Sequence, residues 1–238
     1  MKPQVILFDV NETLLDLQAL RPLFAEIFGD PQITGQWFVQ LLRSAMVATI
    51  IGDYHDFAEI GRDALDMTAR RRGLSLTSVD RDRILHAMRR LPPHPEVPQS
   101  LARLRDKGLR LATLTNSPPW IIQDQLTHAG LTHYFEQILS VHEIQRFKPD
   151  LETYRYAARQ LNVPTDAILM VAAHDWDIAG AIKAGCRTVF IARPGMIIGA
   201  LQQQPDLLGS DLLSVVDQIT ALGRYHGHFV DWWMLLSQ

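Results

Sequence analysis

Cysteine is nearly missing from this chain. The one thiol, Cys186, excludes an intrachain disulfide framework and suits a reducing cytoplasm. No stretch approaches the roughly 18 consecutive apolar residues that span a bilayer. The N-terminal "MKPQVILFDV" ends its short apolar run in Asp9 with no small-residue cleavage site, so it reads as a strand and not as a signal peptide. Excess charge is also scarce: a formal net charge of −3 gives no electrostatic case for nucleic acid or an anionic membrane surface. Internal repeats and low-complexity tracts are absent. What is there is an ordinary globular composition, 47% hydrophobic and 21% charged, with 14 Gly and 13 Pro over 238 residues. That length suits one large domain, or a domain carrying a substantial insert.

Four short apolar runs lack polar alternation, as strands do when both faces of a parallel sheet are covered: "VILF" (5–8), "LRLATLT" (109–115), "AILMVAA" (167–173) and "TVFIA" (188–192). A weaker fifth is "QILS" (137–140). Helical patterns lie between them. In "VPQSLARLRDKG", Val97, Leu101 and Leu104 share a face before the stop at Gly108; Ile122, Leu126 and Ala129 do the same before Gly130. Residues 150–161 and 176–184 continue the alternation. The expected fold class is therefore α/β, with a Rossmann-like, mostly parallel sheet. Between the first two strands the rhythm breaks into helix-like segments at 18–28, 36–51, 55–73 and 77–90. A helical cap inserted after the first strand accounts for this, giving a core of 1–16 and 93–238 and a cap of 17–92. The Pro-rich "LPPHPEVP" (91–98) returns the chain to the sheet.

Ligands of open α/β sheets bind at the carboxyl ends of the strands. Asp9 ends the first strand; Thr115, Asn116 and Ser117 end the second; His174, Asp175 and Asp177 follow the fourth; Lys148 stands in the loop "QRFKPD". Asp9 is the candidate nucleophile, since a carboxylate can form a covalent intermediate that water later cleaves. An ammonium from Lys148 would hold it ionised and oriented. Thr115 and Asn116 could donate to a substrate anion, while Asn116 or Ser117 could equally cap the next helix. Asp175 or Asp177 could likewise cap the helix after strand four.

These landmarks, in this order, resemble the four motifs of the haloacid dehalogenase superfamily. Its first motif, D-x-D-x-T/V, reads D-V-N-E-T here, which implies Asp9 as nucleophile and Thr13 as its supporting hydroxyl. Thr115–Asn116, Lys148 and Asp177 stand for the second, third and fourth motifs. Most members are magnesium-dependent phosphatases, but Asn11 replaces their second Asp, and their fourth motif, G-D-x-x-x-D, aligns with Ala172, Ala173 and Asp177, so an alanine stands where a metal-binding carboxylate belongs. The pattern is more similar to the L-2-haloacid dehalogenases, the metal-free branch: Lys148 and Tyr154 match K-P-x-x-x-x-Y, and Trp176–Asp177 match its W-D. The cap stretch "FAEIGRDAL" and the run from Leu91 to Asn116 look similar as well.

The resemblance implies displacement of halide from a small 2-haloalkanoic acid by Asp9, then hydrolysis of the Asp9 ester to a 2-hydroxy acid. No cofactor is implied. Lys148 and Asp177 would be electrostatic and water-positioning partners, with Tyr154 behind Lys148. Asn11, Thr13, Thr115 and Asn116 would bind substrate or support the nucleophile, and Trp37 and Phe38 would line an apolar wall. The branch's usual D-x-Y-G-T becomes Asn11–Glu12–Thr13, and its halide-greeting arginine becomes Phe38, with Arg43 five positions beyond the nearest match. His174 is a candidate to orient the hydrolytic water. The alternatives are a phosphatase with an atypical Mg²⁺ site at Asp9, Asp175 and Asp177, or a non-catalytic binding protein. A cytoplasmic place follows from these readings. The aromatic "YHGHFVDWWMLLSQ" (225–238) fits a homodimer contact, a lid, or a segment folded back on its own core.

Overall fold

In the computed structural model, which describes residues 3–221, six parallel strands form one sheet in the order β3-β2-β1-β4-β5-β6. The strands are β1 (Val5–Phe8), β2 (Arg110–Thr115), β3 (Gln137–Ser140), β4 (Ile168–Ala172), β5 (Arg187–Ile191) and β6 (Leu207–Gly209). Strand β1 lies in the middle, paired with β2 through Val5 opposite Arg110 and with β4 through Val5 opposite Ile168. All four of its residues are buried, which explains why it has no polar face. The chain order reverses between β1 and β4, so Asp9 emerges at the switch point where such sheets bind ligands.

Helices α1 (Arg21–Phe28), α2 (Ile33–Ile51), α3 (Phe57–Arg71) and α4 (Ser78–Met88) all fall between β1 and β2 and pack on one another. Their ends follow local chemistry. Asp56 and Glu59 form a reciprocal capping box that starts α3, and Gly29 and Gly52 close α1 and α2 in the left-handed conformation. Trp37 and Phe24, on different helices of this group, meet at 5.4 Å between centroids with their planes tilted by 34°. The segments entering and leaving the group run side by side: Leu15 bridges Pro93, Asp16 N donates to Pro92 O, and His94 N donates to Leu14 O.

The remaining helices are α5 (Val97–Asp106), α6 (Pro119–His128), α7 (Leu151–Leu161), α8 (Asp175–Lys183) and α9 (Leu212–Ala221). Strand β6 and helix α9 are additions to the sequence expectation. The first is a three-residue edge strand. The second buries Leu212, Val215, Val216 and Ile219 against α5, β5 and β6, a helical period that was present in the sequence. No described helix is long and apolar enough to cross a membrane. The aromatic segment 225–238 lies outside the described residues.

Candidate active site

Asp9 stands one residue beyond β1, and its backbone N–H still donates to Val171 O, so the strand ladder fixes its place at the rim. Its side chain is buried and held on both oxygens. Oδ1 accepts from Lys148 Nζ at 2.7 Å; Oδ2 accepts from Thr13 Oγ1 at 2.6 Å and lies 3.2 Å from His174 Nδ1. Thr13 in turn accepts from Ala173 N at 3.0 Å, tying the loop after β1 to the end of β4.

Lys148 is a bridge. Its Nζ also donates to Asp177 Oδ2 at 2.6 Å, and Asp177 Oδ1 takes the Tyr154 hydroxyl at 2.6 Å. Lys148 N donates to Asn116 Oδ1 at 3.0 Å. Helix α8 approaches this arm closely because Gly180 has no side chain: a Cβ there would come within 2.7 Å of the Tyr154 hydroxyl and 2.8 Å of Pro149 O. The two carboxylates and the ammonium are thus removed from water with nearly all their bonds supplied by protein, the condition under which a buried ion network holds.

Burial pushes the Asp9 carboxyl up, but the Lys148 charge and the His174 hydrogen bond outweigh it and leave it well below the usual carboxylate range. Burial would depress the Lys148 ammonium, yet the charges of Asp177 and Asp9 raise it. Asp177 is raised by burial, with Lys148 opposing and the Asp9 charge adding to the rise. The site therefore presents an ionised Asp9 beside a permanent cation, the state a nucleophilic carboxylate requires.

On the other side, His174 Nε2 lies 2.9 Å from Glu12 Oε2, so the imidazole spans Asp9 and Glu12. Burial alone would lower its pKa; hydrogen bonds to the two carboxylates win and raise it to about 10. The ring stacks on Trp176 at 4.9 Å and meets Phe38 at 6.2 Å, which brings α2 over the site. Trp176 also lies 5.9 Å from Lys148 Nζ.

Other candidates fall into supporting places. Asn11 takes Gln125 Nε2 on Oδ1 and donates to Ser117 Oγ, and Thr115 Oγ1 accepts from Ser117 N, so these side chains brace the loops after β1 and β2. Helix α6 is entered through Pro118, so neither Asn116 nor Ser117 caps it. Helix α8 has His174 at its N-cap with no side-chain capping bond, and Asp175 and Asp177 sit in its first turn. Arg43 is exposed and donates to Gln40 Oε1 on its own helix, and among the described residues no bond ties it to Asp9. Glu12 and the buried Arg193, which donates to Thr13 O, went unrecognised in the sequence; nothing local marks either as belonging to Asp9.

A Mg²⁺ site at Asp9, Asp175 and Asp177 does not fit this arrangement. The Lys148 ammonium stands between Asp9 and Asp177, Tyr154 takes the second Asp177 oxygen, and Gln202 takes Asp175. Among the described residues no group of three or more His, Cys, Asp or Glu is placed to hold a metal ion.

The profile of the haloacid dehalogenase-like hydrolases matches residues 3–185. The chain is 35% identical over 222 residues to a (S)-2-haloacid dehalogenase of Pseudomonas sp. strain YL, covering 92% of this chain and 96% of that protein. It is 29% identical to haloacetate dehalogenase H-2 of Moraxella sp. strain B, over 86% of this chain and 92% of the relative. The L-2-haloacid dehalogenase of Xanthobacter autotrophicus superposes with a TM-score of 0.85 at 26% identity, covering 94% of this chain and 100% of that one. The structure of that enzyme with chloropropionic acid covalently bound gives the same TM-score at 25% identity, with the same coverage.

Proposed function

Because the chain belongs to the haloacid dehalogenase-like hydrolases, we propose that it hydrolyses the carbon–halogen bond of small (S)-2-haloalkanoic acids through an ester on Asp9, releasing halide and a 2-hydroxy acid. The observation that carries this reading is the buried Lys148 ammonium 2.7 Å from Asp9 Oδ1, which keeps the nucleophile charged without a metal. Asp9 attacks the halogen-bearing carbon, and halide leaves with the bonding pair. Halide is a weak base and needs no proton to depart, so Asn11 in place of a carboxylic acid is no handicap.

In this reading Lys148 orients and ionises Asp9. Asp177, with both oxygens engaged by Lys148 and Tyr154, holds Lys148 in place. Thr13 fixes Oδ2. Asn116 turns its oxygen to Lys148 N, which leaves its amide N–H groups for the substrate carboxylate. Phe38 supplies an apolar wall from the cap. We assign residues 17–92 to that cap, supported by the paired entry and exit segments. The buried Cys186 thiol, pushed up to about 12 by burial, stays protonated and takes no part in the chemistry.

The test is halide release from a panel of 2-haloacids with EDTA present and with Asp9→Asn as control. Release that survives EDTA and is lost in Asp9→Asn is the expected result. Mg²⁺-dependent phosphate release from phosphoesters, without halide release, would overturn it; turnover of neither panel with retained ligand binding would favour a binding protein.

A further inference from the structure

We propose that Glu12 and His174 form the base that hydrolyses the Asp9 ester, His174 as the catalytic residue taking a proton from water and Glu12 as the residue that positions it. The proposal rests on the dehalogenase reading above and concerns its second half-reaction. Three observations carry it. His174 Nδ1 lies 3.2 Å from Asp9 Oδ2, within one water of the carboxyl carbon that must be attacked. Its other nitrogen lies 2.9 Å from Glu12 Oε2, which fixes the ring and its tautomer as the third group of a catalytic triad does. Finally, Glu12 occupies a left-handed backbone position, φ 63°, that glycine takes freely and a glutamate seldom does. Strain of that kind persists where a side chain is held for use.

The charge logic makes the pair act only when it is needed. In the free enzyme His174 sits between two carboxylates, whose hydrogen bonds raise its pKa and favour the imidazolium, which has no lone pair to act as a base. Esterification removes the Asp9 charge. The Asp9 share of the attraction that kept the second proton on His174 is then lost, and Nδ1 gives its proton to solvent while the Nε2–H stays hydrogen-bonded to Glu12. Water attacks the ester carbonyl carbon and passes one proton to Nδ1. Collapse of the tetrahedral adduct breaks the bond from the Asp9 carbonyl carbon to the ester oxygen, and the adduct's hydroxyl proton goes to the departing alkoxide. Asp9 is again a carboxylate and His174 again an imidazolium. The sum is haloacid plus water giving hydroxy acid, halide and one proton. Asp177 is poorly placed for this task, since Tyr154 and Lys148 engage both its oxygens.

The groups facing His174 are Asp9 and Glu12 in direct contact, and Lys148 and Asp177 beyond Asp9. His94 lies on the Glu12 carbonyl and Arg193 on the Thr13 carbonyl. Of these, Glu12 is the one whose removal alters the imidazole and leaves the nucleophile's own bonds intact.

The experiment is a quenched single turnover with (S)-2-chloropropionate, following chloride, lactate and the mass of the Asp9 peptide. It uses the full-length enzyme and its His174→Gln, Glu12→Gln and Glu12→Gly variants. Expected are one equivalent of chloride per site and an Asp9 adduct that persists, with ester hydrolysis slowed on the order of 10²–10⁴-fold in His174→Gln. Glu12→Gly relieves the backbone strain, so it keeps the test alive if Glu12→Gln folds poorly. It should also accumulate the adduct, and its hydrolysis step should show an altered pH profile while chloride release does not. Chloride and lactate appearing together, with no adduct in any folded variant, would overturn the inference and leave the dehalogenase reading standing. No chloride from the unaltered enzyme with any 2-haloacid would overturn both.

Discussion

On one side of Asp9 stands Lys148, and on the other His174; both are buried cations within hydrogen-bond distance of the same carboxylate. The Lys148 side is a closed strut. Its ammonium is shared with Asp177, its backbone is taken by Asn116, and Gly180 lets Tyr154 and Pro149 pack against α8 with no room to spare. The His174 side is open to change. Its partner Glu12 sits on a strained loop, and its charge depends on two carboxylates of which one is consumed in the reaction. One cation is permanent and positions; the other is conditional. A single carboxylate can therefore be kept ionised for attack and be met by a base afterwards.

Breaking the permanent side has the largest effect. Lys148→Ala leaves Asp9 and Asp177 as buried carboxylates without their cation, and a stability loss of about 3–5 kcal/mol accompanies the loss of activity. Urea unfolding and halide release measure the two. Next comes the pH response of the conditional side. Because the His174 pKa is raised in the fold, from 6.5 to about 10, its stabilising contribution is complete below pH 6.5 and is lost as pH climbs through about 10. Subtracting the unfolding curves of His174→Gln from those of the parent at each pH isolates that window. A difference that does not change between pH 6 and 10 would mean the imidazole is neutral in the free enzyme.

Smaller effects sharpen the comparison. Tyr154→Phe removes the donor to Asp177 Oδ1 and should lower stability by about 1–3 kcal/mol, with halide release slowed more than ester hydrolysis. Gly180→Ala drives a methyl against Pro149 O and the Tyr154 hydroxyl, and should cost about 1–3 kcal/mol through the same strut. If either variant instead slowed only ester hydrolysis in single turnover, the division of labour between the two sides would be wrong.

Much of the core was legible because strands covered on both faces of a parallel sheet lack polar alternation, as "VILF" does, and that run is β1 to the residue. "QILS" is β3 to the residue, but as a half-buried edge strand holding Gln137 and Ser140 it carried the weaker pattern. The end of β1 did not single out Asp9 by itself, since Asp is also a common turn residue; its convergence with Lys148 and the other strand ends did. The four helices before "LPPHPEVP" were visible as a break in the strand–helix rhythm. Strand β6 was not, because three residues at a sheet edge carry too little pattern. Whether Asn116 or Ser117 caps α6, and Asp175 or Asp177 caps α8, was left open by the sequence; the N-caps are Pro118 and His174 instead, which local composition does not reveal.

Residue order alone pointed to the sheet, to a helical stretch between its first two strands, and to Asp9, Lys148 and Asp177 lying after strands on one rim, because those depend on local hydrophobic period and on motif spacing. Only the tertiary structure decided that His174 joins Asp9 to Glu12, residues 165 and 162 positions away, that Phe38 lies over the imidazole, and that Arg43 turns to the surface. Those facts belong to distances across the sheet's rim. Whether an imidazole is charged there is set by which carboxylates the fold brings beside it, a quantity no stretch of sequence contains.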